Sequence, residues 1–498
     1  MVDLNLRRSG ILLPLFSLPG STGIGTMGEF AYNFIDILKK SGQTYWQLLP
    51  LGVTDKGNSP YQCFSSNAGN PLFIDFDMLW KRGFLNKRDF SAFVREGDEG
   101  RINYKRIYRE RLIVFNRLYE SFKKNTPEDF YSFLNEEDCW LNDYAIFMTI
   151  RELSGDDFLF SRENSGLRKR DEKALAEIEK NHSDRIFYHK MLQYFFFLQW
   201  YELKKYANEN GIYIIGDLPY YVSTNSVEVW KNPECFRVDE ELSVKYVAGC
   251  PPDDFSTDGQ LWGNVVYNND YITKDGYRLW LDRFDFARKM YDVIRIDHFK
   301  AFESYYVIDS KEKNAKNGKW LKGVGYDFFK CMKRQLGEIP VIAEDLGYRT
   351  KELEALISEC GFPGMKVLQF AFDGKADNEY LPHNYTKNSV VYTGTHDNDT
   401  TLGFFLSADR NQLKAAKEYL RTRKTTLLLR ECIMSALSSV SDLCIIPLQD
   451  LLGLDSEARV NIPSTSENNW QWRVTHEQLK NLDCESLLKY TKLYGRAD

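Results

Sequence analysis

Eight short apolar segments, several of them separated by helical patterns, predict a closed (β/α)₈ barrel. The segments are rich in Val, Ile, Leu and Tyr and end in polar, Gly or Pro residues, which is typical of strands. Near-continuous apolar strands that alternate with helices indicate a parallel sheet covered by helices. Eight such units favour a closed barrel over an open, doubly wound sheet. The segments are 10–16, 45–51, 212–219, 293–299, 341–347, 365–372, 389–397 and 443–452.

Helical patterns and one glycine-rich segment lie between these strands. Residues 27–42 read as a helix that stops at Gly42, and residues 350–361 read as a helix that begins at Thr350, a favoured N-cap residue. The glycine-rich segment 20–30 lacks both the P-loop lysine and the dinucleotide-binding spacing. We therefore interpret it as a loop at the barrel mouth and not as a nucleotide site.

The spacing of the strands predicts two insertions in one barrel domain that spans 1–498. Residues 52–210 are too many for one crossover helix and contain the helical segments 104–124 and 142–153, so they predict a mainly helical inserted subdomain. Residues 220–292, which contain "AGCPPDDFSTDGQLWG", predict a second insertion that covers the barrel mouth.

Composition excludes several classes of function. The chain has 498 residues and a net charge of −6, which gives no basic face for nucleic acid. The longest apolar run, 191–201, is about half the length of a membrane span and contains two glutamines, so we expect no membrane segment. The nine cysteines are scattered without a CxxC spacing, which favours reduced thiols in a cytoplasmic protein over a zinc site or a disulfide framework. The sequence carries no signal for an oligomeric state.

Acidic residues stand at the predicted carboxyl ends of four strands, where (β/α)₈ barrels carry their chemistry. Arg295 and Asp297 are two apart in one strand and therefore share a face. The candidate site residues at these ends are Asp217 on the third strand, Arg295, Asp297 and His298 on the fourth, Glu344 on the fifth, and His396 and Asp397 on the seventh.

Convergent carboxylates suit two chemistries. One is a Mg²⁺ or Mn²⁺ site with hard oxygen ligands. The other is glycosyl transfer, in which one carboxylate attacks the anomeric carbon and a second protonates the leaving oxygen. A buried arginine beside Asp297 favours glycosyl transfer, because it orients the carboxylate and keeps it ionised. The excess of aromatic residues (30 Tyr, 33 Phe and 10 Trp) also fits a site for sugars.

Each candidate also has a purely structural interpretation. Arg295 and Asp297 alone would fit a buried ion pair, and Asp217 would fit a turn role before Pro219. Glu344 would fit a solvated strand end, and His396 a hydrogen-bonded core histidine. The coincidence of acids at the ends of strands three, four, five and seven favours the functional interpretation.

Several motifs then resemble a known family. The segments "RIDHF", "AEDLG" and "GTHDNDT" resemble the catalytic segments of the α-amylase clan. Together with "SPYQCFSSNAGNPLFID", "GDLPYYV", "PPDDFSTDGQLWGNVVY" and "NNWQWR", they are similar to the amylomaltase family of 4-α-glucanotransferases, also called disproportionating enzymes, over essentially the whole chain. Four positions depart from that pattern: Asp254 stands where an aromatic residue is usual in the family, Ser464 and Asn468 where a glycine is common, and Gln471 where an arginine is common.

The resemblance implies a role for each candidate residue. Asp297 would be the nucleophile, Glu344 the general acid and then the base, and Asp397 the carboxylate that holds hydroxyls of the distorted sugar ring. Further sugar contacts would come from Ser59, Tyr61, Asp217, Asp253, Gln260, Trp262, Arg295, His298, His396 and Asn469.

The resemblance also implies partners and cofactors. The substrates would be maltooligosaccharides and other α-1,4-glucans, and neither a metal nor an organic cofactor is expected. The enzyme would move a glucan segment to a new 4-position by a retaining double displacement. A hydrolase of the same clan is the main alternative, and a catalytically dead glucan-binding protein is disfavoured because all three catalytic carboxylates are present. We expect no C-terminal β-sandwich, since few residues follow "NNWQWR".

Overall fold

The computed structural model describes residues 2–95, 100–155, 159, 165–252, 257–465 and 467–497. Within these ranges the chain forms twelve strands, of which eight close into a parallel barrel in the order β1-β12-β11-β10-β9-β6-β3-β2 and four form a separate antiparallel sheet. The strands are β1 Arg8–Leu12, β2 Tyr45–Gln47, β3 Tyr213–Leu218, β4 Tyr246–Cys250, β5 Gln260–Val265, β6 Val293–Ile296, β7 Ser304–Asp309, β8 Lys319–Lys322, β9 Val341–Ala343, β10 Gly364–Val367, β11 Ser389–Tyr392 and β12 Leu443–Pro447.

Each of the eight barrel strands overlaps one of the eight apolar segments that the sequence indicates, so the predicted (β/α)₈ barrel is confirmed. The strands are shorter than the apolar segments, and most of the functional candidates lie just beyond the last paired residue. Strand β6 is buried along its whole length, since its side chains face either the barrel interior or the covering helices. The barrel interior is filled by Leu12, Tyr45, Ile215, Val293, Ile342, Met365, Val367, Val390, Tyr392, Leu443 and Ile445.

Nineteen α-helices accompany the strands in the described part of the chain. They are α1 Glu29–Lys40, α2 Phe76–Lys81, α3 Tyr104–Phe122, α4 Glu128–Glu136, α5 Asp138–Ser154, α6 Ser165–Arg168, α7 Glu172–Asn181, α8 Ser183–Glu209, α9 Val227–Lys231, α10 Asn269–Lys274, α11 Arg278–Met290, α12 Gly325–Leu336, α13 Lys351–Cys360, α14 Thr401–Ser407, α15 Arg410–Tyr419, α16 Leu428–Ser438, α17 Leu448–Leu451, α18 His476–Lys480 and α19 Cys484–Leu493.

Helix α13 begins and ends as its sequence predicts, and α1 (Glu29–Lys40) lies within the predicted range 27–42. The Thr350 hydroxyl caps α13 by accepting a hydrogen bond from the Leu353 N–H at 3.1 Å. Gly361 ends the same helix with a φ of +70°, a conformation that glycine adopts without a steric penalty.

The segment between β2 and β3 holds helices α2 to α8. The 27-residue helix α8 runs through this segment, and its middle is almost entirely apolar and aromatic. Phe195 and Phe196 of α8 are fully buried, and Phe195 contacts Phe122 of α3 with ring centroids 5.4 Å apart. Part of the aromatic excess of the composition is therefore used in the core of these helices.

The antiparallel sheet, in the order β5-β4-β7-β8, is a feature that the sequence analysis did not anticipate. Strands β4 and β5 follow β3, whereas β7 and β8 follow β6, so two separate βα loops of the barrel contribute to one sheet. Strands β4 and β5 lie within the second predicted insertion, 220–292, whereas β7 and β8 lie after its predicted end.

None of the helices in the described ranges is both long enough and apolar enough to cross a membrane.

Candidate active site

The predicted acids lie together at the carboxyl end of the barrel. Asp217 is the fifth residue of the six-residue strand β3, and Asp297 and Glu344 directly follow β6 and β9. His396 and Asp397 lie in the loop after β11. Neighbouring strands in the order β9-β6-β3 bring the first three acids side by side.

Arg295 connects the neighbouring barrel strands β3 and β6. Its register partner across the parallel pair is Asp217. The Arg295 Nη1 atom donates to both oxygens of Asp217, at 2.6 and 2.7 Å, and to Asp297 Oδ1 at 3.3 Å. The Arg295 and Asp217 side chains are buried, whereas Asp297 keeps 28% of its side-chain surface exposed. One buried cation therefore binds two carboxylates, of which Asp297 is partly exposed and Asp217 is buried.

Glu344 is held by the backbone. The His298 N–H donates to Glu344 Oε2 at 2.7 Å, and the Leu346 N–H donates to Oε1 at 2.9 Å. His298 has a φ of +52°, so the chain turns in the left-handed region immediately after Asp297. The turn directs the His298 N–H toward Glu344.

The two catalytic candidates are electrostatically linked. Burial raises the pKa of Glu344 to about 7, against the opposing effect of Arg295 and of the two backbone N–H donors. Burial also raises the pKa of Asp297, with Arg295 opposing and the carboxylates of Asp217, Glu344 and Asp397 adding to the rise. Such groups lose their protons as a pair. The guanidinium nitrogen 3.3 Å from Asp297 favours the charged form of Asp297.

Tyr61 joins two of the strand ends. Its hydroxyl donates to Asp217 Oδ2 at 2.7 Å and lies 2.8 Å from His396 Nε2, and the two rings are stacked with centroids 5.3 Å apart. Burial raises the pKa of Tyr61 and lowers the pKa of His396, so both groups are neutral. Because the hydroxyl proton is directed at Asp217, His396 must carry its proton on Nε2 and donate it to the Tyr61 oxygen.

Asp397 is positioned by residues that the sequence analysis missed. The Asn461 side-chain amide donates to Asp397 Oδ1 at 2.6 Å, and Arg459 Nη2 donates to the Asp397 carbonyl at 2.8 Å. His396 Nε2 lies 3.4 Å from Asp397 Oδ2. Arg459 and Asn461 belong to the loop after β12. Nothing in the sequence of this loop indicates that it folds back to the loop after β11.

Aromatic residues line the side of the site that His298 faces. The Trp262 and His298 rings are perpendicular, with centroids 4.9 Å apart, and Tyr221 stacks on His298 at 6.0 Å. Trp262 Nε1 donates to Gln260 Oε1 at 3.1 Å. Burial lowers the pKa of His298 to about 4. Among the described residues its Nε2 atom has no hydrogen-bond partner, so this buried nitrogen is available to a ligand.

The remaining predicted contacts differ in their surroundings. Ser59 accepts a hydrogen bond from the Tyr61 N–H at 3.3 Å and so shapes the turn that carries Tyr61. The Asn469 amide bonds to Ile462 and Thr465 within its own loop. Asp253 lies outside the described residues. Ser464 and Asn468, at the two positions where the family commonly has glycine, have φ values of +64° and +63°. This left-handed conformation favours glycine, which explains the family preference.

A further buried acid supports the loop of His396 from below. Asp450 lies in α17, directly after β12. It accepts hydrogen bonds from the Thr393 hydroxyl at 2.5 Å, the Thr401 N–H at 2.7 Å and the Thr401 hydroxyl at 2.7 Å. The apolar segment 443–452 contains this residue, so a search of every strand end for acids would have found it.

No three His, Cys, Asp or Glu side chains in the described part of the chain are arranged to hold a metal ion. The carboxylates at the barrel mouth are instead held by Arg295, by backbone N–H groups and by Asn461.

Comparison with known proteins identifies the family. A family model described as 4-alpha-glucanotransferase matches residues 13–479. The chain belongs to this family. A 4-alpha-glucanotransferase of Clostridium butyricum is 43% identical over 484 residues, which cover 97% of this chain and 99% of the relative. These matches favour glucan transfer over the hydrolase alternative.

Solved structures agree with the fold of the transferase. An amylomaltase from Streptococcus agalactiae, in complex with acarbose, superposes with a TM-score of 0.96 at 41% identity, covering 99% of this chain and 100% of that one. An amylomaltase from Corynebacterium glutamicum, at 18% identity, has a TM-score of 0.79 and covers 99% of this chain and 75% of that one, so it supports the barrel architecture alone.

Proposed function

We propose that this 4-alpha-glucanotransferase acts by double displacement, with Asp297 as the nucleophile and Glu344 as the general acid and base. The observation that carries the proposal is the contrast between the two carboxylates. Asp297 lies against a guanidinium and keeps an exposed face, whereas Glu344 accepts its hydrogen bonds from backbone N–H groups. An ionised nucleophile beside a protonated acid is the arrangement that retaining glycosyl transfer requires.

In the first step an Asp297 oxygen attacks the anomeric carbon of a glucan. The bond from that carbon to the departing oxygen breaks, and Glu344 gives its proton to this oxygen. In the second step Glu344 takes the proton of the acceptor 4-hydroxyl, the acceptor oxygen bonds to the anomeric carbon, and the ester to Asp297 breaks. Two inversions retain the α-configuration, so one α-1,4 bond is exchanged for another.

The other site residues hold the sugar and the nucleophile. Arg295 orients Asp297, and Asp397, fixed by Asn461, accepts bonds from ring hydroxyls of the donor glucose. Asp217, Tyr61 and His396 form one connected group beside it. The unpaired His298 nitrogen and the Trp262 ring contact the sugar across the cleavage point, with Gln260 orienting the indole. Ser59, Asp253 and Asn469 complete the proposed set as loop contacts.

The proposed substrates are maltooligosaccharides and longer α-1,4-glucans. The acarbose bound to the similar amylomaltase of Streptococcus agalactiae supports an oligosaccharide site in the same barrel. We assign the insertion 220–292 to the cover of this site and the insertion 52–210 to a mainly helical subdomain. The nine cysteines are all free thiols, which supports the cytoplasm as the compartment.

Replacing the nucleophile tests the central assignment. Asp297→Asn should lower the rate of maltotriose disproportionation by at least about 10³-fold, because a neutral amide cannot form the covalent intermediate. Binding of maltoheptaose, measured by calorimetry, should persist. Wild-type rates in this variant would overturn the assignment.

The same assay separates the transferase from the hydrolase. Incubation with maltotriose should give oligomers longer than the substrate together with glucose. A product mixture that contains only shorter sugars would contradict the transfer reaction.

A further inference from the structure

Two large aromatic side chains lie exposed beside the barrel mouth, and the core does not account for them. Trp320 of β8 is 39% exposed and Tyr348, in the loop after β9, is 65% exposed. Their rings are stacked, with centroids 6.0 Å apart and an interplanar angle of 28°. Rings of this size normally bury most of their surface, so a mostly exposed Tyr348 that stacks on a partly exposed Trp320 indicates a contact surface.

The pair is connected to the loops that hold Glu344. Tyr348 follows Glu344 by four residues, which places their Cα atoms within about 14 Å of each other. Lys300 follows His298, whose N–H binds Glu344, and the Lys300 Nζ atom lies 4.8 Å from the Trp320 ring centroid and 5.7 Å from the Tyr348 centroid. Tyr348 therefore lies on the loop that directly follows the proposed acid and base, and Lys300 connects both rings to the turn that binds Glu344.

The backbone around Tyr348 is fixed although its ring is exposed. Gly347, with a φ of +86°, turns the chain so that Tyr348 is presented outward. Arg349 is ion-paired with Asp345 and Glu379, and its successor Thr350 caps α13. An exposed ring on anchored backbone loses little conformational freedom when a ligand covers it.

Trp320 is supported in a similar way. It is the register partner of Tyr306 in the antiparallel sheet, and the two rings contact each other with centroids 5.4 Å apart. Lys300 is buried and bonds to Glu303 Oε2 at 2.9 Å and Ser304 Oγ at 3.3 Å. Its charge lies against the aromatic faces, which is a favourable cation–π position.

We propose that Trp320 and Tyr348 form an aromatic platform that binds the acceptor side of an α-1,4-glucan, beyond the sugar that accepts the new bond. Glu344 exchanges its proton with the departing and arriving oxygen, so the loop that follows Glu344 borders the chain to which that oxygen belongs. The C–H face of a glucose ring is apolar and fits the negative face of an aromatic ring. The inference rests on the proposed role of Glu344.

A glucan fits this surface better than a protein partner does. Two rings offer far less than the roughly 1,000 Å² that a stable protein interface requires. Exposed lysines flank the platform, at Lys319 and Lys322. An uncharged oligosaccharide can cover the rings without burying these charges.

The dependence of transfer on acceptor length tests the platform. With a fixed donor, kcat/KM is measured for acceptors from glucose to maltoheptaose in wild type, Tyr348→Ala and Trp320→Ala. The advantage of maltoheptaose over glucose should fall about three- to tenfold in each variant, the range expected for one lost aromatic contact. Tyr348→Phe keeps the ring and should keep the advantage.

Tyr131→Ala is the matched control, because Tyr131 of α4 is 54% exposed and belongs to no part of the proposed site. It should leave the dependence on acceptor length as in wild type. Because Trp320 also packs on Tyr306, Tyr348→Ala is the deciding variant and its thermal unfolding midpoint is measured alongside.

The outcomes separate the two proposals. An unchanged maltoheptaose advantage in folded Tyr348→Ala would overturn the platform, whereas full transfer activity in Glu344→Gln would overturn the role of Glu344 and leave the length dependence as an independent observation. A change in particle mass in solution, with an unchanged length dependence, would assign the rings to a contact between copies of the chain and would also overturn the glucan platform.

Discussion

The hydroxyl of Tyr61 has one proton and lies within hydrogen-bond reach of both Asp217 and His396. The Tyr61 hydroxyl donates its proton to Asp217, and the His396 Nε2–H donates to the Tyr61 oxygen. This small network fixes the tautomer of His396 and keeps its Nε2–H between Tyr61 and Asp397. A single phenol therefore determines what His396 can offer to a substrate.

Removing this hydroxyl should disturb both neighbours. Tyr61→Phe deprives buried Asp217 of a donor and frees the His396 N–H to turn fully to Asp397. We expect kcat/KM for maltotriose to fall about ten- to hundredfold, since a hydrogen bond to a charged group contributes about 1.5–3 kcal/mol. Steady-state kinetics by glucose release measure the effect.

Tyr206→Phe is the control for this prediction, because it removes a hydroxyl that donates to Asp36 at 2.7 Å on the protein surface. Its kcat/KM should equal that of wild type. An equal loss in both variants would indicate general instability and would contradict a specific role for Tyr61.

The raised pKa of Glu344 predicts the pH dependence of transfer. As the proposed general acid, Glu344 would have to be protonated to assist the departing oxygen, so kcat/KM for natural glucans should decline as the pH rises through about 7. A donor such as α-maltosyl fluoride, whose fluoride departs with little proton assistance, should lose much of this alkaline decline. Identical profiles for both donors would argue against Glu344 as the acid.

The same group makes stability depend on pH. Its folded-state pKa lies above the unfolded value, so the folded state binds the proton more tightly. The contribution is present at acid pH and is lost as the pH rises through about 7. Glu344→Gln should remove this part of the pH dependence of the unfolding free energy in urea.

At the scale of the elements, the loop between β11 and α14 depends on a residue outside it. Asp450 bonds to Thr393 before His396 and to Thr401 after Asp397, so it spans the base of the loop. Burial raises the pKa of Asp450, and three donors oppose that rise. A residue that follows β12 thereby positions catalytic candidates in the loop after β11.

Asp450→Asn should separate the two effects of this carboxylate. One amide oxygen cannot accept all three bonds, and the amide N–H₂ would oppose donors, so we expect a loss of about 1–3 kcal/mol in unfolding free energy. We also expect a decrease in kcat, because His396 and Asp397 lose their support. Urea denaturation and maltotriose kinetics measure the two quantities.

Asp409→Asn is the matched change at a surface position, since Asp409 caps α15 and asparagine caps helices nearly as well. Neither stability nor kcat should move appreciably. A normal kcat in folded Asp450→Asn would contradict the positioning role.

The elements also explain which features the sequence could predict. Barrel strands are buried on both faces and therefore appear as apolar runs, and the acids directly after β6 and β9 end those runs. Strands β4 and β8 are partly exposed, and the pairing of β4 with β7 joins two distant loops, so neither composition nor spacing indicates the sheet. Asn461 was missed for the same reason, because only the folded loop brings it to Asp397.

At the scale of the whole molecule, the two ends of the chain are bonded together. Arg496 is fully buried and donates to the carbonyls of Leu437, Arg8, Asp442, Ser439 and Ser441. Arg7 donates to carbonyls of the same turn and to Tyr494. Two arginines thus close the end of the barrel opposite the active site.

Arg496→Met should lower stability without altering the chemistry. The methionine fills part of the space but leaves several buried carbonyls without a donor, so we expect a loss of about 3 kcal/mol or more in unfolding free energy. At temperatures where the variant is folded, kcat and KM for maltotriose should match wild type. Arg109→Met, at an exposed position of α3, should change neither quantity.

The pairing of β1 with β12 has a consequence in time. Arg8 is the register partner of Leu443, so the first barrel strand finds one of its two neighbours only when the last has been synthesised. At typical rates of translation this takes roughly 20 to 90 s. Throughout that interval the nascent chain carries an open sheet edge at β1, which pairs only with β2, and the growing edge stays open until β12 arrives. The barrel can close only after β12 has been synthesised, so its two open edges need protection from edge-to-edge pairing until then.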